Sequence, residues 1–81
     1  MNPRRIVLVK WWDAQSEAAG WKGIDKVRQN KPPLMQSVGW IIAQTKSHIT
    51  IVASHGGGDC DGDVTIPAGM VKEIIDLCPK R

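Results

Sequence analysis

The apolar positions of this chain fall into short runs of the kind that form β-strands. The first run, residues 5–12, is rich in β-branched residues and has apolar side chains on both parities. That pattern is typical of a strand buried on both sides over part of its length. A second run over 35–44 and a third over 48–54 flank a polar connection of three residues, as in a β-hairpin.

Two further runs complete a prediction of five strands. Residues 64–67 form a short fourth strand, and residues 70–77 form a fifth. A helix competes for the last run, because Met70, Ile74 and Leu77 fall at i, i+4 and i+7. The Ile-Pro-x-Gly turn just before it favours the strand.

The connections differ in character. In the long first connection, Trp21, Ile24 and Val27 have helical spacing, which predicts a short helix over about 23–29, ended by two prolines. The segment 55–63 holds four glycines and three aspartates and is expected to be a flexible loop. Gly39, inside the second strand, predicts a bulge or a sharp bend.

Five short strands in 81 residues predict one mainly β domain over residues 1–81. The expected architecture is a small five-stranded SH3-like or Sm-like barrel with a short helix in the connection after the first strand. Closure into a barrel removes exposed strand edges, and the bend expected in the second strand would allow it.

Two resemblances support this fold. Residues 64–71, followed by Ile74, Ile75 and Leu77, resemble the strand, single 3₁₀ turn and strand that close SH3-like barrels. Most of the chain also resembles a family of short, largely uncharacterised phage and prophage proteins. The residues that carry this second resemblance are Trp12–Asp13, Gly20–Trp21, 37–42, Ile49-x-Ile51-x-Ala53, Gly62–Asp63 and Ile66-Pro67-x-Gly69-x-Val71.

The apolar runs are all short. None approaches the ~20 residues that cross a bilayer, and the run near the start is too short for a signal peptide. We therefore expect a cytoplasmic protein (in the host cell, if it is phage-encoded) with no membrane partner. Cys60 and Cys78 are then expected to be reduced, although the sequence leaves open whether the fold brings them together.

The charge is unevenly spread. Residues 1–31 carry seven Lys or Arg and three Asp or Glu, a net +4, whereas residues 32–81 carry four and five, a net −1. Clustered positive charge attracts anionic partners, although scattered lysines also simply keep a small domain soluble.

All the aromatic residues are tryptophans, and three of the four lie in or near the basic part of the chain. Basic side chains hold phosphates and tryptophans stack on bases, so this mixture predicts a nucleotide-like ligand. The alternative is that all four tryptophans pack the fold. The glycine-rich segment that begins at His55 could close over a ligand. The predicted binding residues are Arg5, Trp12, Trp21, Lys22, Arg28, Trp40 and His55.

The sequence gives little indication of metal binding or catalysis. The segment 55–63 lacks the EF-hand and Walker patterns, and the His and Cys residues lack zinc-site spacing. Asp13, Ser16, His55 and Cys60 could be nucleophilic or basic groups, but no nucleophile motif surrounds them. We expect no catalysis, no metal and no cofactor.

Three functions remain. The first is a phage accessory protein that binds an anionic nucleotide-like small molecule, such as a host immune signal that it sequesters. The second is a barrel that binds single-stranded nucleic acid, and the third is an SH3-like protein–protein adaptor. A homo-oligomer is expected in the first case, because pockets between subunits give a small fold concavity.

Overall fold

The computed structural model describes residues 5–16 and 20–77. Within them, five strands, one short helix and one 3₁₀ turn confirm the mainly β prediction, including the helix after the first strand and the strand near the C-terminal end. The described part of the chain contains no helix with the length and apolar character needed to span a bilayer. The elements are β1 (Ile6–Trp12), α1 (Ile24–Val27), β2 (Leu34–Gln44), β3 (His48–Gly56), β4 (Asp59–Pro67), the 3₁₀ turn (Ala68–Met70) and β5 (Val71–Asp76).

The strands form one antiparallel sheet in the order β4-β3-β2-β1-β5. The long β2 belongs to two ladders, because residues 34–40 pair with β1 whereas residues 40–44 pair with β3. The register shifts between Ile41 and Ala43, which marks a bulge close to the point where β2 changes partner. The irregularity predicted at Gly39 therefore lies two to four residues further along, and Gly39 itself is a point of close approach to β3.

The link between β4 and β5 requires the sheet to curve. In a flat sheet the two edge strands would lie about 19 Å apart, whereas the four steps from Pro67 to Val71 span at most about 14 Å. Ala68 N–H also donates to the Ser47 carbonyl oxygen at 2.8 Å, which fixes the turn beside the β2–β3 connection. No ladder joins β4 to β5 among the described residues, so the sheet is open and the closed barrel stays a prediction.

The core lies on the concave face of this sheet. Its fully enclosed side chains come from three strands, and burying each one stabilises the fold by roughly 1.5–3 kcal/mol. Trp11 packs against this cluster and donates from Nε1 to Ser37 Oγ at 3.0 Å, whereas Trp12 points to the other face, as expected for strand neighbours. The enclosed residues are Val7, Val9, Ile49, Ile51 and Ile66.

The prediction of a flexible loop over residues 55–63 is wrong. β3 continues to Gly56 and β4 begins at Asp59, so the segment is a β-hairpin joined by two residues. Gly57 and Gly58 have φ of 60° and 85°, as a tight type I′ turn requires. The glycines that suggested flexibility are therefore the residues that make the turn, and the mobile lid has no basis in this structure.

Replacing Gly57 or Gly58 by alanine should lower the free energy of unfolding by about 1–2 kcal/mol, because positive φ is costly for any residue with a Cβ. Urea unfolding would measure the effect. Gly69→Ala is the control, since its φ is not positive and nothing lies within 4 Å of an added Cβ. Equal urea midpoints for the three variants would contradict a type I′ turn at Gly57 and Gly58.

Candidate ligand-binding site

Residues 20–33, which we call the arm, project from the sheet between β1 and β2. The ladder ends where Trp12 lies opposite Leu34, and the Asp13 N–H donates to the Pro33 carbonyl oxygen at 3.1 Å. Every residue of the arm is exposed. The radius of gyration is 16.3 Å, against about 12 Å for a compact domain of this length. Hydrogen bonds within the arm, and not packing on the sheet, therefore shape it.

The arm forms one side of a concavity of about 400 Å³. This volume falls within the range of small-molecule sites. Two ammonium groups and two side-chain amides line it beside two apolar side chains, a combination that suits an anionic ligand with an apolar or aromatic part. The lining residues are Gln15, Lys22, Val27, Asn30, Lys31 and Pro32.

Trp21 adjoins Lys22 and is fully exposed, at 104% of its reference area. A tryptophan normally buries a large apolar area, so an indole left entirely in water contributes nothing to the folding of this chain. Its flat faces are free to stack on an aromatic ligand. Among the predicted tryptophans, Trp21 therefore has the strongest case for a binding role.

Trp12, at the base of the arm, and Arg28, on the arm, both contact other side chains. Trp12 is 39% exposed, and Lys72 Nζ lies 5.4 Å from its ring centroid, within cation–π range. Arg28 forms an exposed ion pair with Asp25 at 3.2 Å. Such surface pairs contribute little to stability, so Arg28 can exchange this partner for a ligand at small cost.

The remaining predicted residues lie at the other end of β1. Trp40 and His55 form an edge-to-face contact, with ring centroids 4.8 Å apart and planes at 86°. Trp40 lies opposite the buried Val52 in the β2–β3 ladder. Arg5 forms an ion pair with Asp76, with Nε 3.6 Å from Oδ2. These contacts connect strands, which is a structural role for each side chain.

The two groups are too far apart to form one site within one chain. Trp12 pairs with Leu34 and Ile6 pairs with Trp40 in the same ladder. Six residues along a strand correspond to about 20 Å. Four of the predicted binding residues therefore lie on the arm or at its base: Trp12, Trp21, Lys22 and Arg28. The other three lie at the opposite end of β1: Arg5, Trp40 and His55.

The β3–β4 hairpin carries three aspartates in one short segment, residues 59–63. Asp61 Oδ1 accepts a hydrogen bond from the Gly62 N–H at 2.9 Å, a local contact within β4. No group of three or more possible metal ligands occurs among the described residues. Cys60 is an exposed free thiol opposite His55 in the β3–β4 ladder, whereas Cys78 lies outside the described residues, as does Arg4.

Sequence reasoning missed several residues of the concavity. The sequence pattern predicts no binding role for Gln15, Asn30 or Lys31, and it predicts Pro32 only as one of the two prolines that end the helix. Lys22 was identified because it follows Trp21. These residues come together because the chain returns to the sheet where it left it, with the Asp13–Pro33 hydrogen bond joining the two ends of the connection. The sequence pattern does not show that return.

The resemblance to phage proteins rests on the sequence pattern alone and stays a prediction. The same holds for the role of each predicted binding residue. Comparison with protein-family models, with curated proteins and with solved structures gives no match to this chain.

Proposed function

We propose that this protein binds an anionic, nucleotide-like small molecule in the concavity of the arm and catalyses no reaction. One observation carries the proposal: Lys22 and Lys31 line a concavity of about 400 Å³ next to the fully exposed Trp21. In this site the two ammonium groups hold phosphate oxygens, and Trp21 stacks on the base. The amides of Gln15 and Asn30 are placed to hydrogen-bond polar edges of the ligand.

The same proposal assigns a role to the rest of the fold. The curved sheet is a small SH3-like or Sm-like barrel that holds both ends of the arm at fixed positions. If the resemblance to phage proteins is correct, the ligand is a host immune signal in the cytoplasm of the infected cell. Sequestration requires tight binding only, and no catalytic group is needed for it.

Single-stranded nucleic acid is the second candidate, and a different feature favours it. Lys26 and Arg28 extend the positive charge of the arm beyond the concavity, on the same exposed segment as Trp21. A row of cations beside an exposed aromatic is the usual arrangement for a single strand. The two candidates differ in the number of phosphates contacted.

The substitution Lys22→Gln combined with Lys31→Gln tests the site. We expect it to weaken the binding of ADP or of a cyclic adenine dinucleotide at least tenfold in calorimetric titrations, because both phosphate contacts are lost. Lys46→Gln, in the β2–β3 connection, is the matched control and should bind like the unsubstituted protein. Unchanged affinity in the double variant, or no binding of either probe to the unsubstituted protein, would contradict the proposal.

Salt dependence separates the two candidates. Between 50 and 200 mM salt, a dodecamer of deoxythymidine held through four phosphates should lose roughly thirtyfold or more in affinity. A nucleotide held by two lysines should lose less than about tenfold over the same interval. If the dodecamer binds more tightly than either nucleotide and shows the steep slope, the single-strand function replaces the first proposal.

A further inference from the structure

The face of the sheet opposite the core is apolar. Val7 and Val9 are core residues, so Ile6 and Leu8 point to the other face, and cross-strand partners share that face. Antiparallel sheets with one solvated face normally place polar residues there. Here two neighbouring rows of three apolar residues cross the sheet. We call these six residues the outer face: Ile75, Leu8 and Val38 in one row, and Ile6, Trp40 and Val52 in the other.

The described chain leaves this face partly uncovered. Val38, at the centre of the long strand β2, is 58% exposed. No residue of the arm is buried, so the arm does not cover the outer face of its own chain. Ile6, Leu8, Trp40 and Ile75 are half-buried, whereas Val52 is buried. The accessible part of the face is therefore centred on Val38, and apolar surface of this kind often marks an interaction site.

The arm also exposes apolar side chains. Ile24, 70% exposed, and Val27, 44% exposed, lie at i and i+3 and so share one side of α1. A single helical turn is not stable in water on its own. It gains stability when a surface buries its apolar side. Within the described chain Val27 only lines the open concavity of the arm, and Ile24 stays 70% exposed.

The charges of the two surfaces are opposite. The arm carries Lys22, Lys26, Arg28 and Lys31 against one carboxylate, Asp25. The β4 side of the outer face carries two exposed carboxylates: Asp63 lies opposite Val52, and Asp61 lies opposite Ser54. Neither aspartate forms an ion pair with a described residue. An arm placed along this side of the sheet would bring its cations next to them.

We infer that the outer face binds the arm of a second copy of this chain. Ile24 lies against the row that contains Val38, with the basic side of α1 towards Asp61 and Asp63. If each chain gives its arm to the other, the contact is closed and two-fold. A specific interface needs about 1,000 Å² of buried surface in total, and in a two-fold dimer both docked arms contribute to it. This inference does not depend on the identity of the ligand.

Sedimentation velocity across a range of concentrations tests the inference, because assembly follows mass action. We expect the unsubstituted protein to sediment as an oligomer that dissociates on dilution. Ile24→Asp and Val38→Asp should each weaken assembly at least thirtyfold, as for central residues of an interface. Ile42→Asp is the matched control, because Ile42 is a comparably exposed apolar residue of β2 outside the six residues of the outer face. An unsubstituted protein that is monomeric throughout, or variants that assemble like it, would overturn the inference.

Two checks keep the result interpretable. Val38 is a strand residue, so the thermal melt of Val38→Asp must be compared with that of Ile42→Asp. Ile24 is on the exposed arm, so Ile24→Asp cannot disturb the core. The Lys22→Gln, Lys31→Gln variant keeps Lys26 in α1 and Arg28 at its end, so it should still assemble when it no longer binds a nucleotide. If it assembles and does not bind, the ligand site and the interface are separate features.

Discussion

Replacing Trp21 by alanine is expected to weaken nucleotide binding at least fivefold without lowering the thermal unfolding midpoint. The indole is fully exposed, so its removal takes no contact away from the core. Stacking on a base contributes about 1–3 kcal/mol, which corresponds to about five- to 150-fold in affinity. Calorimetric titration with ADP and a thermal melt of the same preparation measure the two effects.

Trp11→Ala is the matched contrast. Trp11 packs against the core and donates to Ser37, so its loss should lower the free energy of unfolding by about 3 kcal/mol. At temperatures where that variant stays folded, its affinity for ADP should be unchanged. A Trp21→Ala protein that loses its cooperative melt would place Trp21 in the fold and remove it from the site.

Gly39→Ala is expected to cause the largest loss of stability of any small substitution in this chain. A Cβ at this position would lie 2.7 Å from the Val52 carbonyl oxygen and 3.1 Å from Ile51 Cβ. The nearest atom is backbone, so it cannot move aside as the end of a side chain could. We expect the free energy of unfolding to fall by about 3 kcal/mol, the upper part of the range for overpacked cores. Urea unfolding measures it.

Gly56→Ala is the control for that experiment. Gly56 is also a strand residue, and nothing lies within 4 Å of an added Cβ there. Its free energy of unfolding should stay within about 0.5 kcal/mol of that of the unsubstituted protein, as for most surface substitutions. If Gly39→Ala were equally neutral, β2 and β3 would not approach each other as closely as this structure has them.

Much of the fold could be predicted from the period of the apolar residues. β1 has apolar side chains on both parities, and the structure shows both consequences: Val7 and Val9 in the core, and Leu8 on the outer face. The strand near the C-terminal end also followed from local chemistry, because the Ile66-Pro67 step leads into a 3₁₀ turn and then into β5.

The parts that could not be predicted depend on contacts between distant residues. The glycines at 57 and 58 fit a loop or a type I′ turn equally well, and only pairing of β3 with β4 selects the turn. Lys31 and Gln15 meet in one concavity because the β1–β2 ladder closes the arm at its base. The distance between Trp12 and Trp40 likewise depends on the register of β1 and β2, and the amino-acid composition does not determine that register.

A nuclear magnetic resonance titration with ADP tests whether the arm binds a nucleotide, because each of the four tryptophans gives its own indole N–H signal. We expect the Trp21 indole signal and the backbone amide signals of Lys22 and Lys31 to shift together and saturate, while the Trp11 and Trp40 indole signals stay in place. Saturable shifts confined to Trp40 and His55, with the arm unchanged, would contradict it.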